Sequence, residues 1–425
     1  MTKAKARIVV LGGGFGGAYA AQTLAKRKNA DFELTVLDRN NFLLFYPLLV
    51  EAGVGALEPR HVVVPLRRFM PDTDFRMAEV NAVDVKRQVV SYRVIGSDIT
   101  EEMAYDHLIL SLGSITRLAP IPGLAEYGFE LKSLTDAVEL RDRGIRQLEL
   151  ANTISDSKKR RDLLRHVVVG ANFTGIEFAG EYQAFMADTA KHYHNVQAEE
   201  VEMVVLEHGK RILPSVRPDL SEWAERVLTK RGVDIRPETT ITEIGEDYAV
   251  LTTGERLATG MVVWAAGIAP NPLISQIEGL PVNSKGYIDC EPDLRVKGFE
   301  NVWAVGDCAT VYQSDGMPFA ATAQSASRQG PRAAKNILAK FGGKPTQAFQ
   351  YKALGSFAAI GHRSAAAEVL GYSFKGFIGW FLYRGTYLMK MPTLAMKIRI
   401  AMDWFLELIL RSEVVQLGVH RPRND

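Results

Sequence analysis

Cysteine is nearly absent: Cys290 and Cys308 are the only two in 425 residues. That excludes a disulfide-stapled secreted scaffold and a cysteine-rich zinc protein. A charge excess is absent too. Lys and Arg number 51 against 49 Asp and Glu, a net +2, which argues against a whole-protein nucleic-acid binder. No uninterrupted apolar run approaches the ~18–20 residues needed to span a bilayer. No apolar stretch with a cleavage site precedes the first strand at Ile8-Val9-Val10-Leu11, so no signal peptide is expected and the chain is expected on the cytoplasmic side. With 47% hydrophobic and 24% charged residues the composition is that of a globular protein, and the length suits about three domains of ~100–200 residues.

Against these absences stands an internal echo. Ile8-Val9-Val10-Leu11 breaks into Gly12-Gly13-Gly14-Phe15-Gly16-Gly17, and Val167-Val168-Val169 breaks into Gly170-Ala171-Asn172-Phe173-Thr174-Gly175. Each is an apolar strand running into G-x-G-x-x-G, with Asn172 in place of the second copy's middle glycine. The spacing is too wide for a solenoid and suits two successive dinucleotide-binding units. Both continue as βαβ units. Ala18–Lys26 reads as a helix and Phe32–Leu37 as a strand ending at Asp38; Gly175 to about His194 reads as a helix and Val201–Leu206 as a strand ending at Glu207. A carboxylate at that tip accepts hydrogen bonds from ribose hydroxyls. Asparagine is the non-glycine residue that best tolerates positive φ, so the second turn is expected to survive. The Asn172 side chain is nonetheless expected to occupy space near the phosphates and weaken dinucleotide binding.

Further strands are expected at Leu108–Leu112, ending at Gly113, and at Met261–Ala266, ending at Gly267. The charged stretch Asp156–Arg165 reads as a solvated loop. The fold class is α/β: two Rossmann-like dinucleotide-binding domains plus an amphipathic helical C-terminal region expected to associate with membrane. The expected domains are 1–120 with 268–345, then 121–267, then 346–425. In the last of these, Leu394, Ile398, Ala401, Met402, Phe405, Leu408 and Ile409 share one helical face, with Arg399, Asp403, Glu407 and Arg411 on the other. Trp380, Tyr383, Tyr387 and Trp404 are expected at the headgroup depth, with Lys375, Arg384, Lys390, Lys397, Arg399 and Arg411 toward anionic lipid. The competing reading packs the apolar face on the protein's own core or on a second subunit.

Two dinucleotide units in one chain imply two dinucleotides, and hydride transfer from a nicotinamide to a flavin is the chemistry that needs both. FAD is expected on the N-terminal unit through Gly12, Gly14, Gly16, Gly17, Asp38, Arg39 and Gly113, its pyrophosphate at a helix N-terminus. NADH is expected on the second through Gly170, Asn172, Gly175, Glu207 and Gly267. Glu207 would repel the 2′-phosphate of NADPH, while Arg211 nearby leaves that exclusion open.

Other segments carry a resemblance: Asn41-Phe42 through Tyr46-Pro47-Leu48-Leu49, Gly55-Ala56-Leu57-Glu58-Pro59, Asn301-Val302-Trp303-Ala304-Val305-Gly306-Asp307-Cys308-Ala309, and Thr322-Ala323-Gln324-Ser325-Ala326-Ser327-Arg328-Gln329-Gly330. The chain resembles the two-dinucleotide-binding-domain flavoproteins and, within them, the type II (non-proton-pumping) NADH:quinone oxidoreductases, over nearly its whole length. The resemblance implies that Gly306, Asp307 and Ala323 complete the FAD site, with Asp307 on the ribityl chain. It implies that Gln324 lies beside the flavin ring where a quinone headgroup approaches. Arg328 stands where many members carry a second glutamine, and either hydrogen-bonds a quinone carbonyl or faces a helix partner. Glu177 matches the acidic residue near the stacked nicotinamide and flavin, and Glu181 shares its helix face. Glu177 and Gln324 are therefore the expected catalytic residues, Gln324 and Arg328 the expected quinone contacts, and no metal is expected. The alternative readings are a solvated helix charge for Glu177 and an ordinary flavin-contacting helix N-terminus for Gln324. The implied partners are NADH, a quinone and the cytoplasmic face of the inner-membrane lipid surface, with no nucleic acid and a homodimer left open.

The missing cysteines sharpen this. Asn40 to Val50 holds no redox pair, and none lies between Met1 and Asp289 to carry sulfur, so electrons are expected to pass from the flavin directly to an acceptor. Two other functions stay open: a soluble reductase of a ferredoxin or rubredoxin, which predicts no amphipathic C-terminal helices, and a non-turnover NAD(H) sensor, motivated by Asn172.

Overall fold

Ile8, Val9, Val10 and Leu11 are all buried, as a strand covered on both faces of a parallel sheet must be. The computed structural model describes residues 5–27, 31–353, 355–410 and 413–418. The chain divides into two compact units, the first formed by Met1–Leu44, Val63–Ile115 and Ile268–Ala353, the second by Phe45–Val62, Thr116–Gly267 and Leu354–Asp425. The segment 45–62 thus belongs with the second unit, as does the C-terminal region.

In the first unit a seven-stranded sheet runs Val302–Ala304, His107–Leu110, Ala6–Leu11, Phe32–Asp38, Asp74–Asp84, Val89–Val94, Thr100–Ala104. Ala6–Leu11 pairs in parallel with strands on both sides, so the strand order reverses at it, and ligands of open α/β sheets bind at such a switch point. The Phe15–Ala25 helix follows the first glycine turn and crosses the Ala323–Phe341 helix. A Cβ at Gly330 would lie 2.1 Å from the Gly16 carbonyl oxygen, so glycine is what lets these two helices approach.

The second unit has its own parallel sheet, ordered Gly128–Phe129, Met261–Trp264, Arg165–Val169, Glu202–Leu206, Val233–Arg236. Val167, Val169, Val204, Leu206, Val262 and Trp264 fill one core with the antiparallel strands Ile241–Ile244 and Tyr248–Leu251. The charged stretch expected as a loop is instead a helix, Ser157–Leu164. Asp156 caps it by accepting from the Lys158 and Lys159 amides, and Lys158 pairs with Asp162 one turn on at 2.7 Å.

Three antiparallel strands, Gly355–Ala359, Ala365–Val369 and Tyr372–Lys375, lead into the Gly376–Lys390 and Leu394–Ile409 helices. The last helix turns its two carboxylates inward, beside the buried Met396, Ile400 and Trp404. Asp403 Oδ2 lies 2.6 Å from His61 Nδ1 and accepts the Glu58 amide. Glu407 accepts from Arg384 Nη2 at 2.6 Å. The apolar stripe points out: Leu394 is 73% exposed, Ile409 65%, and Ile398, Ala401, Met402, Phe405 and Leu408 are exposed as well. This stripe is therefore not core of its own unit. The aromatics expected beside it are turned inward instead. Trp380, Tyr383 and Trp404 are buried and Tyr387 is mostly so, while Phe377, Phe381 and Phe405 are the exposed rings. Trp and Tyr each carry a polar atom that finds a partner inside: Trp404 Nε1 donates to Glu51 at 2.6 Å and Tyr383 to the Pro47 carbonyl at 3.1 Å. Arg384 is likewise buried, at 8% exposure, rather than directed to lipid. Arg411 lies outside the described residues. No described helix is long and apolar enough to cross a membrane.

Arg384 ties these pieces together. Its guanidinium carbon sits 4.2 Å from the Trp380 ring centroid and 4.8 Å from that of Trp404, and Nη2 is 3.6 Å from Glu51, itself 2% exposed. Removing one partner of a buried ion pair leaves the other charge stranded and costs about 3–5 kcal/mol. Arg384→Leu should therefore lower the thermal unfolding temperature sharply at neutral pH. The double variant Glu51→Gln/Arg384→Leu should recover part of that loss, because the stranded carboxylate is gone; equal melting of the single and double variants would contradict the ion pairing.

Candidate active site

Both glycine turns are built by the same contact. Gly12 has φ +99° and Gly170 φ +102°, the left-handed region where a side chain is strained. A Cβ at Gly17 would stand 1.9 Å from the Gly12 carbonyl oxygen, and one at Gly175 1.9 Å from that of Gly170. The third glycine of each turn thus seats the helix on the strand end and aims the first free amides of that helix outward. Gly16 also permits a close approach. Its Cβ would meet Val305 at 2.8 Å, so it is a packing glycine and not a phosphate-facing one. A Cβ at Gly14 meets nothing within 4 Å, and neither does one at Gly113, whose φ is +68°.

The carboxylates at the strand tips are equally alike. Asp38 accepts from the Gly13 amide at 2.6 Å and from the Asn40 amide at 2.7 Å. Glu207 accepts from the Ala171 amide at 2.7 Å and from the Gly209 amide at 2.7 Å. In each case one oxygen is fixed by the glycine turn and the other by the loop beyond the strand. A carboxylate oxygen takes two donors, so both keep capacity for ribose hydroxyls. Burial raises the Asp38 pKa above the ordinary carboxylate value, with the Asn40 and Gly13 amides and Arg39 pulling it back. Arg39 is exposed. Open space before Gly14, a helix N-terminus and a carboxylate with spare lone pairs fit a dinucleotide such as FAD in the first unit. On the same unit Asp307 accepts from Ser114 Oγ at 3.0 Å.

Asn172 departs from expectation. Its φ is −75°, so no left-handed conformation is asked of it, and Gly14 in the first copy has φ −70°. Its side chain caps the Phe173–Ala190 helix, Oδ1 accepting from the Gly175 amide at 3.1 Å while Nδ2 donates to the Ala265 carbonyl at 2.7 Å. The side chain is folded back onto its own unit by two hydrogen bonds. Gly267, with φ +96°, lies two residues beyond Ala265, just past the Met261–Trp264 strand.

Glu177 and Glu181 are not solvated helix charges. Burial raises the Glu177 pKa well above the ordinary value, against one amide hydrogen bond from Ala359 at 3.3 Å. Burial first, and then the charge of Glu51, push Glu181 up to about 8, with Arg384 pulling it back. Burial first, and then the charges of Glu51 and Glu177, raise the Tyr383 and Tyr387 hydroxyls as well.

In the first unit Gln324 and Arg328 lie together near the start of the Ala323–Phe341 helix. Arg328 Nη1 donates to the Gln324 carbonyl at 2.8 Å, and Tyr351 Oη donates to Gln324 Oε1 at 2.7 Å. Gln329, 3% exposed, accepts the Gly306 amide at 2.7 Å, which locks this helix start to the Gly306-Asp307 turn. Sequence reasoning missed both Gln329 and Tyr351. Gln329 is inside the segment already singled out, but Tyr351 lies 27 residues from Gln324 with no motif around it.

Comparison with known proteins places the geometry in context. The family described as pyridine nucleotide-disulphide oxidoreductase matches residues 6–330. A probable NADH dehydrogenase of Dictyostelium discoideum is 31% identical over 415 residues, covering 96% of this chain and 90% of that protein. A type II NADH:quinone oxidoreductase of Mycobacterium tuberculosis is 32% identical over 396 residues, covering 89% and 82%. Among solved structures, NDH2 from Plasmodium falciparum in complex with NADH superposes with a TM-score of 0.88 at 18% identity, over 97% of this chain and 100% of that one, a likeness of fold.

Two measurements check this geometry. Asp38→Ala removes an acceptor for two backbone amides and for a ribose. Hydrogen bonds to charged groups contribute ~1.5–3 kcal/mol, so flavin affinity should fall about 10- to 150-fold, read as flavin retained on dilution. An unchanged flavin-to-protein ratio would contradict the assignment. For Glu181 the sign is set by its raised pKa: the folded chain keeps a proton that the unfolded chain releases near ~4.3. Stability therefore falls as pH rises from there toward 8. Glu181→Gln should melt close to wild type at about pH 5 and a few degrees above it at about pH 8.5. A constant offset across that range would contradict a buried neutral carboxyl.

Proposed function

The chain belongs to the pyridine nucleotide-disulphide oxidoreductase family and, within it, to the type II NADH:quinone oxidoreductases, and from that premise we propose that it oxidises NADH and reduces a quinone at a lipid surface, with FAD as the bound carrier. The observation that carries this reading is the duplicated site. Each unit has a strand, a glycine turn, a helix N-terminus and a carboxylate that grips the turn while keeping lone pairs for a ribose. The net reaction takes NADH, a proton and a quinone to NAD⁺ and a quinol. Two electrons and one proton leave NADH as a hydride, and the second proton comes from water.

FAD, when bound, supplies the two-electron carrier between nicotinamide and acceptor. Binding and orientation fall to side chains and backbone of this chain. In the first unit Gly12, Gly14 and Gly17 shape the pyrophosphate cradle, Asp38 holds a ribose, and Asp307, fixed by Ser114, takes the ribityl chain. In the second, Glu207 holds the NADH ribose and opposes a 2′-phosphate by like charge. Gln324 and Arg328 are donors for quinone oxygens. Burial raises both the Glu177 and the Glu181 carboxyl, Glu181 up to about 8, which suits a group that holds and releases a proton near neutral pH.

The lipid surface is inferred from the last two helices. Phe377, Ile378 and Phe381 on one, and Leu394, Ile398, Met402, Phe405, Leu408 and Ile409 on the other, form an exposed apolar set on helices too short to span a bilayer. A helix of that pattern lies in the headgroup–acyl boundary. Lys397 and Arg399 stand beside it, each worth ~1 kcal/mol where it reaches anionic lipid, while Lys375 is paired with Asp219 at 3.4 Å. Purified protein should float with anionic liposomes. The variant Ile398→Asp/Phe405→Asp should stay in the aqueous fraction and lose turnover of a lipid-embedded quinone, yet still reduce a water-soluble short-chain quinone. Wild-type protein that fails to float, or a variant that floats as well, would contradict the surface assignment.

A further inference from the structure

Tyr351 stands on a strap with no regular secondary structure that is nevertheless firmly held. Asn336 Nδ2 donates to the Gln347 carbonyl at 2.9 Å and its Oδ1 accepts the Gln347 amide at 2.9 Å, so the strap is tied back to the helix that carries Gln324. Thr346 Oγ1 donates to Asp293 at 2.7 Å, and the Phe349 amide donates to the Pro292 carbonyl at 2.7 Å. Phe349 is buried against Phe319, ring centroids 4.8 Å apart, and Tyr351 is the next ring out at 6.4 Å. A side chain so anchored is a rigid reference point, not a loop residue that happens to lie near the helix.

From there Tyr351 makes two contacts. Its hydroxyl donates to Gln324 Oε1 at 2.7 Å, and the Arg328 guanidinium carbon lies 4.5 Å from its ring centroid. The first contact occupies the acceptor end of the Gln324 carboxamide and leaves Nε2 as the end turned to a ligand. The second holds the guanidinium over the aromatic ring while Nη1 is spent on the Gln324 carbonyl. What remains on offer is a set of donors, Gln324 Nε2 with Arg328 Nη2 and Nε. They stand on the helix whose first turns Gln329 fixes to Gly306-Asp307.

We propose that Tyr351 is the positioning residue of the acceptor site: it orients the Gln324 carboxamide and the Arg328 guanidinium as paired hydrogen-bond donors for the carbonyl oxygens of a quinone. This rests on the reading of the chain as a quinone reductase. A quinone carbonyl is a modest acceptor in the oxidised molecule and gains negative charge as two electrons arrive. Donors fixed in advance therefore bind the reacting state better than the ground state. Neither a guanidinium nor a carboxamide serves as an acid in water, so these donors do not supply the protons that complete the quinol. The site built by Tyr351 binds and polarises; it does not protonate.

The test is Tyr351→Phe, which keeps the ring under Arg328 and removes only the hydroxyl. Steady-state KM values for a short-chain quinone and for NADH, together with the pH profile of kcat, are compared with wild type. Loss of one neutral hydrogen bond should raise the quinone KM about three- to ten-fold, with the NADH KM and the pH profile unmoved. Tyr351→Ala, which also removes the platform for Arg328, should raise the quinone KM further. An unchanged quinone KM in Tyr351→Phe overturns the proposal, as does a parallel rise in both KM values with loss of flavin, the mark of a merely structural role. A collapse of kcat with a displaced pH profile overturns it too, because the hydroxyl would then be the acid. If wild type reduces no quinone at all, the parent reading fails and the positioning role falls with it.

Discussion

A carbonyl oxygen 1.9 Å from the place where a side chain would begin is the constraint on which both nucleotide sites depend. It occurs twice, between Gly17 and Gly12 and between Gly175 and Gly170, and in each case only the absence of a Cβ lets the helix settle on the strand end. Once the helix is there, its free amides point at the same space as the strand-tip carboxylate. Asp38 and Glu207 then serve two purposes with one group. Each fixes the glycine turn through a backbone amide and keeps acceptor capacity for a ligand. The first unit adds a second close approach, Gly330 against Gly16, which brings the Ala323–Phe341 helix and its donors up to the cradle's supporting helix. The placement of Gln324 and Arg328 is thus inherited from glycine packing behind them.

The second unit solves a different problem, that of carrying an exposed apolar helix on a folded body. The Leu394–Ile409 helix is held by its polar face: Asp403 to His61, Glu407 to Arg384, and Trp404 to Glu51. Met396, Ile400 and Trp404 are buried on that same inward face, and a second apolar stripe is left exposed on the other, so this helix is apolar on two sides where an ordinary amphipathic helix is apolar on one. The interior cost is concentrated at Arg384, whose positive charge lies over two tryptophan rings and beside the buried Glu51 and the half-buried Glu407. Glu51, Glu177 and Glu181 are all raised chiefly by burial, so the same interior that mounts the helix also shifts the carboxyls around it upward.

Much of this is legible in the residues because it depends on local pattern. The apolar runs, the two glycine turns and the acidic strand tips are short-range signals, and they name the strands and helices within a few residues. Asn172 shows where local pattern stops. A residue type at a turn does not say which way its side chain goes, and here the free Gly175 amide and the Ala265 carbonyl, contributed by a strand distant in sequence, capture it. The charged stretch from Asp156 reads as a loop, and yet is a helix, because an N-cap and an i,i+4 pair secure it rather than apolar periodicity. Trp380, Tyr383 and Trp404 mislead for the opposite reason. Composition suggests an interfacial belt, but Glu51 and the Pro47 carbonyl, far earlier in the chain, satisfy the polar atoms of Trp404 and Tyr383 inside. Gln329 and Tyr351 act only through partners that the fold brings together: Gln329 lies in a segment the sequence marks without giving its role, and Tyr351 carries no mark in its own neighbourhood.

The central claim is that one chain takes electrons from NADH and delivers them to a quinone. Anaerobic titration of the flavin-loaded protein, followed through the visible flavin absorbance, tests it most directly. The account predicts full bleaching by a stoichiometric amount of NADH, and return of the colour on adding an equal amount of a short-chain quinone. A flavin that NADH leaves oxidised, or one that NADH bleaches and no quinone restores, would contradict it.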